Sequence, residues 1–169
     1  NHLQTTSTAN PHHLLYAGNF NRNKNLPRLI HSVLALRTAF PDIHLDVAGE
    51  GGDDEHHVRT MMEKHSDCIS YHGKITELEQ MQELYRANSI LAMPSKSETF
   101  GLVYVEALSQ GLKVLWSRGE AIEGLFPEHI GEHVNPLNNN DLTNALENML
   151  RHPENYEPLP SQTFDTFRW

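Results

Sequence analysis

Apolar positions along the chain alternate between short compact runs and longer stretches in which they recur every three or four residues. The compact runs are residues 13–18, 43–47, 69–73, 90–93, 113–116 and 131–134, and each reads as a strand. Between them, Leu26, Leu29, Ile30, Val33 and Leu34 keep helical spacing, with Pro27 in the first turn and Pro41-Asp42 as the stop. Val58, Met61 and Met62 mark a second helix. Leu78, Met81, Leu84 and Tyr85 mark a third, opened by a capping box at Thr76-Glu77-Leu78-Glu79. Residues 102–110 are apolar on most sides and closed by Gly111, which predicts a buried helix with a glycine cap. Residues 119–126 are expected to be helical. A last helix carries Leu142, Ala145, Leu146, Met149 and Leu150 inward, with Asp141 as its cap. Residues 43–47 alternate apolar and polar, so that strand is expected to be half exposed.

Strand and helix alternating at this spacing predict an α/β fold, a doubly wound, mostly parallel, Rossmann-like sheet. Residues 1–11 read as a polar linker, 12–152 as the folded domain, and 153–169 as a Pro-rich tail. A length of 169 residues suits one domain. The tail ends on Phe167 and Trp169 with nothing after them to bury against, which suggests a piece of something longer.

The net charge of −9 argues against broad nucleic-acid binding, which needs a basic footprint. No apolar run approaches the length needed to span a bilayer. Cys68 is the lone cysteine, so the fold does not rest on an internal disulfide, and a cytoplasmic setting is expected, with the inner face of a membrane as the alternative. The 12 histidines are scattered and read as surface residues. His129-Ile130-Gly131-Glu132-His133 has the H-x-x-E-H form of a zinc-protease motif. Gly131 at its centre and the flanking Pro127 and Pro136 oppose the helix that chemistry needs, so no metal is expected.

Three loops follow strands and should share one edge of a parallel sheet, where ligands bind: residues 18–25, 49–52 and 94–101. Arg22, Lys24, glycine-rich backbone and a helix N-terminus suit a phosphate or diphosphate there. Glu98 and Glu106 would repel an anion but accept hydrogen bonds from sugar hydroxyls well. Cations for a diphosphate together with carboxylates for hydroxyls describe a nucleotide-sugar. Glu106 lies among Leu102, Val103, Val105, Ala107 and Leu108, so it is expected to be embedded and to need a partner or a role.

Over residues 13–152 the chain resembles the C-terminal, nucleotide-sugar-binding half of GT-B glycosyltransferases, specifically the retaining enzymes of glycosyltransferase family 4. The resemblance rests on Glu98 and Glu106 with Phe100-Gly101 between them, which looks like the family's E-x-F-G-x-x-x-x-E signature, and on Pro94-Ser95 just before it. Gly18 with Lys24-Asn25, Gly49-x-Gly51, His72-Gly73, Leu84-Tyr85 and Gly111 support it. It implies transfer of a glycosyl group from a UDP- or GDP-sugar with retention, in polysaccharide or cell-envelope glycan synthesis, without a cofactor. Lys24 and Glu98 would be catalytic, Lys24 holding the diphosphate and Glu98 facing the donor sugar. Glu106 would take the ribose hydroxyls. Amides near Phe100, Gly101, Leu102 and Val103 would hold the diphosphate or the sugar. Gly73, Lys74 and Ile75 would lie near the base, and Gly18, Asn19, Arg22, Gly49 and Gly51 would complete the pocket. It further implies an N-terminal acceptor-binding domain outside this chain, and any membrane association would come through that half. Two departures stand out: Asn19 replaces the family's arginine, and Glu120 replaces the second glycine of a Gly-Gly-x-Pro-Glu loop. A non-catalytic nucleotide-sugar or sugar-phosphate binding module, or an unrelated domain binding another phosphorylated ligand, are the alternatives.

Overall fold

A computed structural model describes residues 9–96, 102–119, 124, 126, 128–157 and 159. Its strands are β1 His13–Ala17, β2 His44–Ala48, β3 Ile69–Tyr71, β4 Ile90–Met93, β5 Lys113–Ser117 and β6 Gly131–Val134. Its helices are α1 Leu26–Leu36, α2 Glu55–Lys64, α3 Leu78–Ala87, α4 Leu102–Ser109 and α5 Asn139–Arg151. The six strands form one sheet in the order β3-β2-β1-β4-β5-β6, and every pair is parallel. The Rossmann-like, doubly wound architecture expected from the sequence is therefore what the chain adopts.

Parallel strands need crossover helices, and right-handed crossovers place the helices on opposite faces once the strand order reverses. Here the order reverses between β1 and β4. α1 packs against α2 and α5 on one side, and α3 and α4 meet on the other through Tyr85 and Glu106. Both faces of the sheet are thus covered, and its middle is dry. Leu14, Leu15, Leu45, Val47, Leu91, Ala92, Val114 and Leu115 are all fully buried.

That double cover corrects the expectation for residues 43–47. β2 lies between β1 and β3 rather than at an edge, and its polar member Asp46 is only 8% exposed. Its carboxylate accepts hydrogen bonds from Asn88 Nδ2 at 3.0 Å and His72 Nε2 at 2.8 Å, which offset the cost of burying it. Two predicted helix starts also shift. α3 begins after Glu77, and no side chain caps it. Leu78 is 70% exposed rather than inward, because the inner stripe starts a turn later at Met81, Leu84 and Tyr85. α5 is capped by Asn138, whose Oδ1 accepts from the amides of Asn140 and Asp141. Asp141 instead takes the Asn135 amide at 2.7 Å. The helix expected over residues 119–126 falls mostly outside the described residues.

Candidate functional site: a cleft where the strand order reverses

At the carboxyl ends of the strands, short backbone hydrogen bonds lace the loops together. The Gly18 amide donates to Ala48 O at 3.0 Å, and the Gly49 amide to Gly73 O at 2.8 Å. The Phe20 amide donates to Gly51 O at 2.7 Å, and the Tyr71 hydroxyl to Gly49 O at 2.8 Å. Gly49 has φ +145°, and a Cβ there would stand 1.8 Å from the Gly18 carbonyl oxygen. Only glycine lets the β1 and β2 loops approach this closely. The Lys96 amide donates to Asn23 O at 2.6 Å, so the loop after β4 is tied to the loop after β1.

These bonds frame a cleft beside the point where the strand order reverses. Its inner part, about 270 Å³, is lined by Gly18, Gly49, Lys74, Ile75, Val103 and Glu106, together with Ala17, Ala48, Met81 and Tyr85. Its outer part shares Gly18, Gly49 and Lys74 and adds Asn19, Glu50, Gly51 and Glu55. Of the residues singled out in the sequence, Gly18, Asn19, Gly49, Gly51, Lys74, Ile75, Val103 and Glu106 therefore come together. Gly73 borders them through its backbone at φ +68°. Leu102 opens α4 and is 47% exposed. Lys24 and Arg22 stand on the 3-10 turn Arg22–Lys24, beyond the lining of the cleft. Glu98, Phe100, Gly101 and Glu120 lie outside the described residues.

Glu106 is not embedded as the sequence suggested. The buried face of α4 is Tyr104, Ala107 and Leu108, and Glu106 falls on the exposed side, turned into the cleft. Its Oε2 accepts a 2.8 Å hydrogen bond from the Tyr85 hydroxyl. Tyr85 is 3% exposed; burial and the neighbouring carboxylate push its hydroxyl well above the ordinary tyrosine range, so it stays a donor. One carboxylate oxygen is thus held by a fixed donor, leaving acceptor capacity for hydroxyls of a bound molecule. The sequence places Tyr85 on a helix stripe and among the positions of the resemblance, without a role in the site. A hydroxyl at the inward end of such a stripe needs an acceptor, which was the available signal.

The walls carry Glu50, Glu55 and Glu106 against Lys74. That balance suits hydroxyls and a heterocycle better than a phosphate, so an anionic group of a ligand belongs at the rim, near the N-terminus of α4 and the turn bearing Lys24. His129, Glu132 and His133 are not a ligand set. His129 sits on a 3-10 turn, His133 on β6 faces the Trp116 ring at 5.8 Å, and no group of three potential ligands that could hold a metal occurs among the described residues. No helix among them is long and apolar enough to cross a membrane.

Comparison with known proteins places this architecture. Residues 3–163 match the family model described as "Glycosyl transferases group 1". Among curated proteins, a D-inositol 3-phosphate glycosyltransferase of Pseudarthrobacter chlorophenolicus is 31% identical over 147 residues, covering 83% of this chain and 35% of the relative. A lipopolysaccharide 1,2-N-acetylglucosaminetransferase of Salmonella typhimurium is 28% identical, covering 92% and 44%. The chain thus spans less than half the length of these relatives. Among solved structures, the pneumococcal O-GlcNAc transferase GtfA in complex with UDP and GlcNAc superposes with a TM-score of 0.78 at 18% identity, over 95% of this chain and 34% of that one. The C-terminal domain of a glycosyl transferase group 1 family protein from Francisella tularensis superposes with a TM-score of 0.77 at 19% identity, over 91% and 84%. With a family match along nearly its whole length, the chain belongs to the glycosyl transferases group 1 family.

Proposed function

We propose that this chain is the donor-binding half of a retaining GT-B glycosyltransferase of family 4, taking its glycosyl group from a nucleotide-sugar. The observation that carries the reading is the cleft at the strand-order reversal, with Glu106 held at one oxygen by Tyr85 and open at the other. In this reading Glu106 accepts the ribose hydroxyls, and the backbone of Gly73, Lys74 and Ile75 borders the base. Lys24 and the N-terminal amides of α4, beginning at Leu102 and Val103, meet the diphosphate and stabilise the charge that gathers on it as the glycosyl bond breaks. Glu98 acts on the donor sugar in this reading, and Phe100 and Gly101 help to hold the diphosphate or the sugar. The likeness to a solved C-terminal domain at 84% coverage supports the position within a longer enzyme. The short share of the curated relatives supports a separate acceptor-binding domain. A relative named for lipopolysaccharide glycosylation supports a role in polysaccharide or cell-envelope glycan synthesis.

Isothermal titration of the chain with UDP-, GDP- and ADP-sugars tests the reading. Saturable binding of at least one donor, weakened roughly tenfold or more by Glu106→Ala, is expected. Absence of binding to all of them overturns it. Asn19 favours a second reading, a binding module without transfer. It stands where the family has an arginine, and its side chain accepts the Asn21 amide at 3.1 Å instead of presenting a cation. Transfer to an acceptor by the chain joined to its companion domain separates the two.

A further inference from the structure

A second concavity of about 450 Å³ opens between the N-terminal halves of α1 and α2, on the face away from α3 and α4. Its lining includes Arg22, Arg28, His31, Asp54, His57 and Lys96, and it shares no lining residue with the cleft. We propose that this groove is a separate site for a phosphate monoester or diphosphate group, distinct from the one that would hold the donor.

Charge segregation is the first argument. The chain carries 22 acidic residues against 13 lysines and arginines, yet here three permanent cations and two imidazoles face a single carboxylate, Asp54. Among the described residues no carboxylate forms an ion pair with Arg22, Arg28 or Lys96, whereas Arg37, Arg59 and Arg151 each have one.

Preorganisation is the second. Arg28 Nη1 and Asn25 Nδ2 both donate to Pro136 O, which fixes the start of α1. The Arg22 amide donates to Asp53 Oδ1 at 2.9 Å, and the Lys96 amide to Asn23 O at 2.6 Å, so both loops that bring cations are pinned. Asn25 makes no side-chain capping bond at α1, and no acidic residue stands in the first turn of that helix, so its dipole adds a positive end to the groove. Arginine forks match the oxygens of a phosphate bidentately.

The group could arrive on a soluble phosphate ester or on a lipid headgroup. The test follows backbone amide shifts of the chain as pyrophosphate is added at constant physiological ionic strength. Saturable shifts are expected at Arg22, Arg28, His57 and Lys96. Arg22→Glu combined with Lys96→Glu, both exposed positions, weakens binding roughly tenfold or more, with the rest of the spectrum unmoved as the check on folding. Shifts confined to Lys24, Leu102 and Val103 or to Gly18, Gly49 and Gly73, shifts reproduced by chloride, or indifference to the charge reversals overturn the proposal. Glycerol phosphate in solution and phosphatidic acid in phosphatidylcholine vesicles then distinguish the sources. Binding of either that the double variant abolishes supports the site, and binding of neither overturns it.

Discussion

The Tyr85 hydroxyl on α3 and the Glu106 carboxylate on α4 meet at 2.8 Å in the inner part of the cleft, one side chain almost wholly buried and the other exposed. The bond orients a carboxylate that solvent alone would leave free to rotate. Tyr85→Phe removes the donor while keeping the ring in the core, and water can reach Glu106 in its place. Stability should therefore change by less than about 1 kcal/mol. Donor affinity should fall by roughly five- to tenfold, because the carboxylate must now be ordered on binding. Parallel thermal melts and titrations of the variant check both; a loss of stability with unchanged affinity would make the bond structural only.

Gly49 and Gly51 lie two residues apart in one loop and differ in what surrounds them. A Cβ at Gly49 would overlap the Gly18 carbonyl oxygen at 1.8 Å, whereas nothing lies within 4 Å of one at Gly51. Both have positive φ. Gly51→Ala should cost about 1–2 kcal/mol, the backbone strain alone. Gly49→Ala adds a clash between two pinned backbones and should cost about 3 kcal/mol or more. Urea unfolding of the pair measures the difference, and equal losses would mean the two loops can part freely.

The strands were legible where burial is uniform. Ile90–Met93, buried at every position, falls where the apolar pattern places it. The pattern misled at β2, because alternation says which side chains are polar, not whether a polar one has found partners. Asp46 is satisfied by His72 and Asn88, 26 and 42 residues along the chain, and no local window contains them. Glu106 misled in the opposite sense. Apolar neighbours in sequence surround it, yet on an eight-residue helix the buried side is taken by Tyr104, Ala107 and Leu108. The glycine-bearing loops of the cleft were legible because turn chemistry is local. Tyr85, Met81 and Glu55 were not assigned to it, since only the folding of α2 and α3 against the strands brings them there.

Helix starts offer a direct comparison of a sequence signature with its realisation. The Thr76-x-x-Glu79 pattern looks like a capping box, yet no side chain caps α3. Asn138, with no such pattern around it, caps α5 through two amides. Thr76→Ala should leave stability within about 0.5 kcal/mol, and Asn138→Ala should lower it by about 1 kcal/mol. Chemical denaturation of each variant decides. A larger loss for Thr76→Ala would show that the box forms in solution.

His13 opens β1 with its ring 5.4 Å from that of His44 on the paired strand. Burial, then the charge of His44, lowers its pKa below the ordinary 6.5, despite the opposing pull of Asp46 and Asp42. The folded chain therefore binds this proton less readily than the unfolded one. Above pH 6.5 the ring is neutral in both states and costs nothing. As pH falls below that value the unfolded state takes up the proton first, and stability drops until the folded-state pKa is passed. His13→Gln removes the group, so the slope of unfolding free energy against pH should be shallower for the variant than for the parent just below pH 6.5, while the two curves run parallel above it. Denaturant midpoints across that interval measure the slopes, and identical slopes would mean that the His13 ring is free to turn into solvent when it charges.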